Sequence, residues 1–189
     1  MNPFNKFNKW FSLAKKSFEF DPTAFALSTS SDNKPDVRMV LLKKILPDGF
    51  VFFTNIKSNK GKQFLKNNNL AMCFYWESLK KQIRISGRGF IVNENESDSY
   101  FSSRPRESQL GAWASKQSSV IQSRKVLINR FQKYEKKFKK KTVTRPSYWV
   151  GIKVVPKCFE FWKGNQFRLH EREVYYFKKK VWEKKILSP

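Results

Sequence analysis

"LAMCFYWESLKKQIRISGRGFIV", residues 70–92, decides the fold class. Its first seven residues form an unbroken apolar run, short and aromatic, as expected of a buried strand. "KQIRISGRGFIV" (81–92) then alternates apolar and polar positions, the period of a strand with one face in the core. "ESLK" (77–80) is short enough to turn the chain straight back, so the two segments pair antiparallel. Within the second, "SGRGF" holds a lone G-x-G. Inside a strand such glycines mark a bulge or close backbone packing, whereas a dinucleotide fingerprint requires a helix to follow.

Working outward, Phe4, Phe7, Trp10, Phe11, Ala14 and Phe18 recur at helical spacing and predict an amphipathic helix over about 5–18. "DPTAFALSTS" (21–30) opens the strands. "DVRMVLLKKI" (36–45) and "FVFFTN" (50–55) flank "LPDG" and read as a hairpin. "SNKGKQFLKNN" (58–68) reads as a short helix with Ser58 as its N-cap. A helical excursion over about 95–140 is broken at Pro105 and holds a longer helix at 119–139. Strands return over about 148–187 as "YWVGIKVVP", "KCFEFWKG", "FRLHER" and "VYYFKKKVWEKKIL". This order predicts a single domain over 1–189, mainly β with peripheral helices, as a barrel or strongly bent antiparallel sheet.

Composition narrows the function. No apolar run approaches the length of a membrane span, and the N-terminus lacks a signal peptide's apolar centre, so a cytoplasmic protein without membrane partners is expected. Cys73 and Cys158 sit in apolar strand surroundings and read as buried free thiols. One histidine and two distant cysteines cannot furnish a zinc site, and no metal is expected. The net charge of +24 raises nucleic-acid binding as an alternative. The lysines, however, are spread through solvated runs such as "KYEKKFKKK", whereas half the arginines fall in three short stretches: Arg38, Arg104 with Arg106, and Arg168 with Arg172. Arginine's planar fork suits phosphate and carboxylate. The lysine excess therefore reads as solvating surface and the arginines as pointers to a site.

Three clusters follow. Arg38 and Lys43 lie in "RMVLLK", and Thr54, Ser58 and Lys60 lie where a strand end meets a helix N-terminus, a favoured anion site. Tyr100, Arg104 and Ser108 form the second. Arg168, His170 and Arg172 form the third, and if "FRLHER" is a strand their two-residue spacing puts all three on one face. Together they suggest two anionic groups bound by one protein.

"EFWKGNQFRLHER" (160–172) resembles the F-E-F-W and R-L-H-[DE]-R signature of the pyridoxamine 5'-phosphate oxidase family. "YFSSRPRESQLGAWASKQSS" (100–119) is similar to that family's S-R-P-R-x-S-Q-x-G-A-W-x-S-x-Q-S segment, and "RMVLLK" with "FFTNIKSNKGKQ" to its FMN-phosphate region. The resemblance implies an FMN-binding split β-barrel, a homodimer with sites at the subunit interface. It implies oxidation of pyridoxamine or pyridoxine 5'-phosphate to pyridoxal 5'-phosphate by O2 with release of H2O2. Carried over by motif, FMN would be held by Arg38, Met39, Val40, Leu41, Leu42, Lys43, Phe53, Thr54, Ser58, Asn59, Lys60, Gln82, Gln117, Ser118, Trp162 and Arg172. The substrate phosphate would meet Lys43, Tyr100, Arg104 and Ser108, with Arg168 and His170, the catalytic pair, against the pyridine ring. The chain departs from the pattern at Asn59, where the family commonly has Arg, with Lys57 as a candidate replacement, and at Lys163. The family's N-terminal R-x-x-Y segment finds no counterpart, which implies a less protected site or a different lid. Another flavin protein on the same barrel is the alternative within this fold.

Overall fold

The structure, a computed structural model, describes residues 2–16 and 21–189. Phe18, expected on the apolar face of the first helix, lies outside the described residues. That helix, α1 (Pro3–Lys16), is followed by β1 (Ala24–Ser31), β2 (Lys34–Leu41), β3 (Lys44–Leu46) and β4 (Gly49–Asn55). Next come α2 (Asn59–Lys66), β5 (Asn69–Trp76) and β6 (Lys81–Ile91), then α3 (Glu94–Ser102), α4 (Arg106–Ala114) and α5 (Arg124–Lys137). The chain ends with β7 (Trp149–Lys163), β8 (Glu171–Lys178) and β9 (Val181–Leu187). All the strands join one antiparallel sheet in the order β2-β1-β5-β6-β7-β4-β3, with β8 and β9 continuing from β7. Among the described residues no helix is long and apolar enough to cross a membrane.

The alternation that predicts β5 and β6 also builds the core. Leu70, Met72, Phe74 and Trp76 face Ile83 and Ile85 on the inner side. The apolar stripe of α1 closes over them, with Phe7 fully buried and its ring 4.6 Å from Phe50. At about 1.5–3 kcal/mol per buried aromatic or aliphatic side chain, this interior is the main stabilising term. "SGRGF" does mark a bulge. The β6–β7 register slips between Ser86 and Gly87, leaving Lys157 unpaired beside Pro156. A Cβ on Gly87 would lie 2.1 Å from the carbonyl oxygen of Val155, so only glycine permits the approach.

Four expectations are corrected. β2 pairs along its whole length with β1 through a tight turn at Asp32 and Asn33, both at positive φ, and not with β4. The apolar run hides a break at Leu42, whose side chain turns into the core; only β3 forms the expected hairpin with β4. The helix expected at 119–139 is shorter, starting at Arg124. "FRLHER" is not a strand up to its last two residues. Phe167 and Arg168 adopt left-handed φ of 56° and 60° in the loop that joins β7 to β8, and β8 starts only at Glu171. Arg168, His170 and Arg172 therefore do not form one strand face. Asn165 fastens that loop, its backbone N–H donating to His170 Nδ1 and its side chain to the Leu169 carbonyl. Cys73 and Cys158 are free, and half-buried rather than buried.

An ionic knot joins α1 to β8 and β9. Glu173 accepts from Lys6 (2.5 Å), Lys184 (3.1 Å) and the hydroxyl of Tyr175 (3.0 Å). Burial pushes its carboxyl up, but these donors outweigh it and hold the pKa at about 2, below the ordinary 4.5. Burial and the same carboxylate push Tyr175 up to about 12. Because the folded pKa is depressed, the contribution is complete above pH 4.5 and drains away as pH falls towards about 2. Glu173→Gln is expected to lower the thermal midpoint by a few degrees at neutral pH and to flatten this acid limb. Thermal melts across that window check it.

Candidate active site

A cavity of about 670 Å³ opens between β2, β4, the N-terminus of α2, and helices α3 and α4. At one end Ser58 caps α2. Its buried hydroxyl donates to the Asn55 carbonyl (2.7 Å) and accepts from the Gly61 N–H (3.3 Å), which fixes the first turn of α2 beside the cavity. A Cβ on Gly61 would strike the Ile56 carbonyl at 2.3 Å, so this tight entry to the helix requires glycine. Lys60 Nζ reaches Gln117 Oε1 (3.2 Å) and Ser58 Oγ (3.4 Å), and Arg38 lines the same end. Burial, then the neighbouring Arg38, lowers the pKa of Lys60, with Asp36 opposing. Two cations crowded into a half-buried place are relieved by an anion.

The other end is built on an aromatic shelf. Tyr100 stacks on Phe53 (4.1 Å between centroids), Phe53 on Trp149 (5.0 Å), and the Arg104 guanidinium lies 4.8 Å over Trp149. Burial lowers the pKa of Arg104, with Tyr100 opposing, and its Nη1 is buried without a hydrogen-bond partner among the described residues. A buried, unpartnered guanidinium N–H is costly unless a ligand completes it. Gln109 fixes the turn that carries this arginine, its amide donating to the carbonyls of Phe101 (3.2 Å), Ser102 (3.1 Å) and Arg104 (2.9 Å). Lys43 and Ser108 line the same cavity.

A second cluster lies elsewhere. Gln82, Trp162 and Arg172 form one transverse row because β6, β7 and β8 place them in register. Arg172 donates twice to Glu160 Oε1 (3.0 and 2.8 Å) and once to the Ser188 carbonyl (2.9 Å). The His170 ring lies 4.8 Å from Trp162. Because Nδ1 accepts from Asn165, Nε2 is the ring nitrogen left to donate, and it donates to no group among the described residues. None of these residues lines the 670 Å³ cavity. Trp149 belongs to the cavity and Trp162 to the row, and they stand at opposite ends of β7, about 43 Å of strand apart at 3.3 Å per residue.

Residues 13–138 match the family model described as pyridoxamine 5'-phosphate oxidase. The chain belongs to the pyridoxamine 5'-phosphate oxidase family. Residues 149–189 match the model of the pyridoxine 5'-phosphate oxidase C-terminal dimerisation region, which contains the whole second cluster except Gln82. The chain is 46% identical over 190 residues to the pyridoxine/pyridoxamine 5'-phosphate oxidase of Trichormus variabilis, covering 100% of this chain and 89% of that protein. It is 44% identical over 189 residues to that of Zymomonas mobilis, covering 100% and 98%. Among solved structures, PhzG from Burkholderia lata, in complex with tetrahydrophenazine-1-carboxylic acid, superposes with a TM-score of 0.94 at 26% identity, covering 100% of this chain and 93% of that one.

Of the residues matched to the oxidase family's motifs, Arg38, Met39, Val40, Leu41, Lys43, Phe53, Thr54, Lys60, Tyr100, Arg104, Ser108 and Gln117 come together around the cavity. Leu42 does not; it is core. Ser58 acts from beneath as the cap, and Ser118 accepts from the Asn59 amide at 3.3 Å. Lys57 does not stand in for the arginine absent at position 59, since its ammonium lies over the Tyr148 ring at 5.3 Å, away from the cavity lining. Sequence reading missed Trp149 and Gln109. An aromatic opening a strand reads as core, and a glutamine in "RESQLG" reads as exposed helix; neither carries a local signal of its role.

Proposed function

We propose that the protein is a cytoplasmic homodimeric oxidase that converts pyridoxamine or pyridoxine 5'-phosphate to pyridoxal 5'-phosphate with O2, using FMN, at sites each completed by two subunits. The observation that carries this is one cavity with two anion-binding ends: Arg38 and Lys60 at the α2 N-terminus, and Arg104, with an unpartnered buried N–H, beside Lys43, Tyr100 and Ser108. A phosphorylated cofactor and a phosphorylated substrate need two such ends. Family membership and full-length relatives named for this activity support it.

The residues present fit FMN. Its phosphate would lie against Arg38, Lys60 and the capped N-terminus of α2, a recurrent phosphate geometry. When bound, FMN supplies a two-electron acceptor that O2 regenerates with release of H2O2. The chain's own work is positioning. Lys43, Tyr100, Arg104 and Ser108 hold the substrate phosphate. The partner subunit contributes the second cluster: Gln82, Trp162 and Arg172 beside the flavin, and Arg168 and His170 over the pyridine ring. His170 Nε2–H is there as a hydrogen-bond donor to the substrate. For the alcohol, carbon 4' loses two electrons and two protons; for the amine, water then supplies the carbonyl oxygen and ammonia leaves.

Purified protein loaded with FMN is expected to consume O2 and form pyridoxal 5'-phosphate from one or both substrates. Flavin loading without that product from either would overturn the reading. It would favour another flavin protein on the same barrel instead.

A further inference from the structure

Arg38 offers five N–H donors. Nη1 serves the Leu27 carbonyl (3.2 Å) and Thr29 Oγ1 (2.6 Å), and Nη2 serves Gln63 Oε1 (3.3 Å). The fourth contact is an ion pair between Nη2 and Asp36 Oδ2 at 2.5 Å. Asp36 and Arg38 stand two apart on β2, so their side chains leave the same face. Asp36 is the more exposed of the two, 45% against 18%, and lies on the solvent side of the pair. Its carboxylate also works against the effect of Arg38 on Lys60, so it offsets both cations of this end of the cavity.

We propose that Asp36 is a resident counter-ion of the FMN-phosphate subsite, competing with the cofactor for Arg38 and thereby setting how tightly the chain retains FMN. The inference rests on the FMN reading above. Its sign follows from the contacts of Arg38. Leu27, Thr29 and Gln63 orient the guanidinium without Asp36, so removing the carboxylate frees a donor and a charge without loosening the fork. Arg38, Lys60 and Asp36 together leave one net positive charge for a phosphate carrying roughly −1.5 to −2. Asn59 adds none where the family pattern has arginine.

The test strips the protein of flavin and titrates FMN by fluorescence quenching. Asp36→Asn is expected to tighten FMN about five- to tenfold at low salt, the gain shrinking as salt screens the site. Riboflavin, which lacks the phosphate, should bind both proteins equally. Equal or weaker FMN binding by the variant, or an equal gain with riboflavin, would overturn the proposal. A urea midpoint without flavin checks folding, and Asp36→Ser repeats the test if the asparagine variant is unstable. A wild-type apoprotein that fails to bind FMN at all would instead sink the FMN reading.

Discussion

Arg104→Met is expected to raise the KM for pyridoxamine 5'-phosphate about a hundredfold while leaving FMN bound. Arg104 lies over Trp149 with one N–H buried and unpartnered, so it is already desolvated and aimed before substrate arrives. A charge-assisted contact to phosphate is worth about 1.5–3 kcal/mol, and each 1.4 kcal/mol is tenfold in affinity. Methionine keeps much of the stem's volume over the aromatic shelf, so the turn held by Gln109 survives. Flavin loading is the internal control, since Arg38 and Lys60 form the separate end of the cavity. An unchanged KM would remove the substrate phosphate from this end.

Arg168→Met should lower kcat/KM by about tenfold to a hundredfold, on the same scale for a lost charged contact, with the thermal midpoint unmoved. Arg168 is exposed, stands in the β7–β8 loop at φ 60°, and makes no ion pair among the described residues. Its own subunit therefore gains little from it. A fall in activity without a fall in stability would mark it as a ligand-facing residue. Steady-state kinetics beside a melt separates the two, and unaffected turnover would leave Arg168 as loop surface.

The parts of this fold that sequence makes legible are those with a short-range physical signal. Residues 70–92 show a strand period and a turn, and Ser58 stands three residues before the Gly61 amide that it caps. Strand partnership carries no such signal. The run through Leu41 and Leu42 is apolar whether the strand continues or breaks, so the pairing of β2 with β1 had to come from the whole sheet. The left-handed Phe167 and Arg168 are equally hidden, because neither glycine nor asparagine announces them. Motif resemblance placed Trp162, Arg168, His170 and Arg172 in one site with Arg104. The course of β7, with its two ends in two different clusters, is what the proposal of a site shared between two subunits rests on.

Subunit complementation tests that claim most directly. Arg104→Met and Arg168→Met are each expected to be strongly impaired when assayed below the wild-type KM. In a mixed dimer, one of the two sites receives Arg104 from one subunit and Arg168 from the other, both intact. Random association makes half the dimers mixed, so co-expressing the variants should restore about a quarter of wild-type activity. Activity no higher than the mean of the two variants alone would show that each site draws both arginines from the same subunit, and would contradict the shared site.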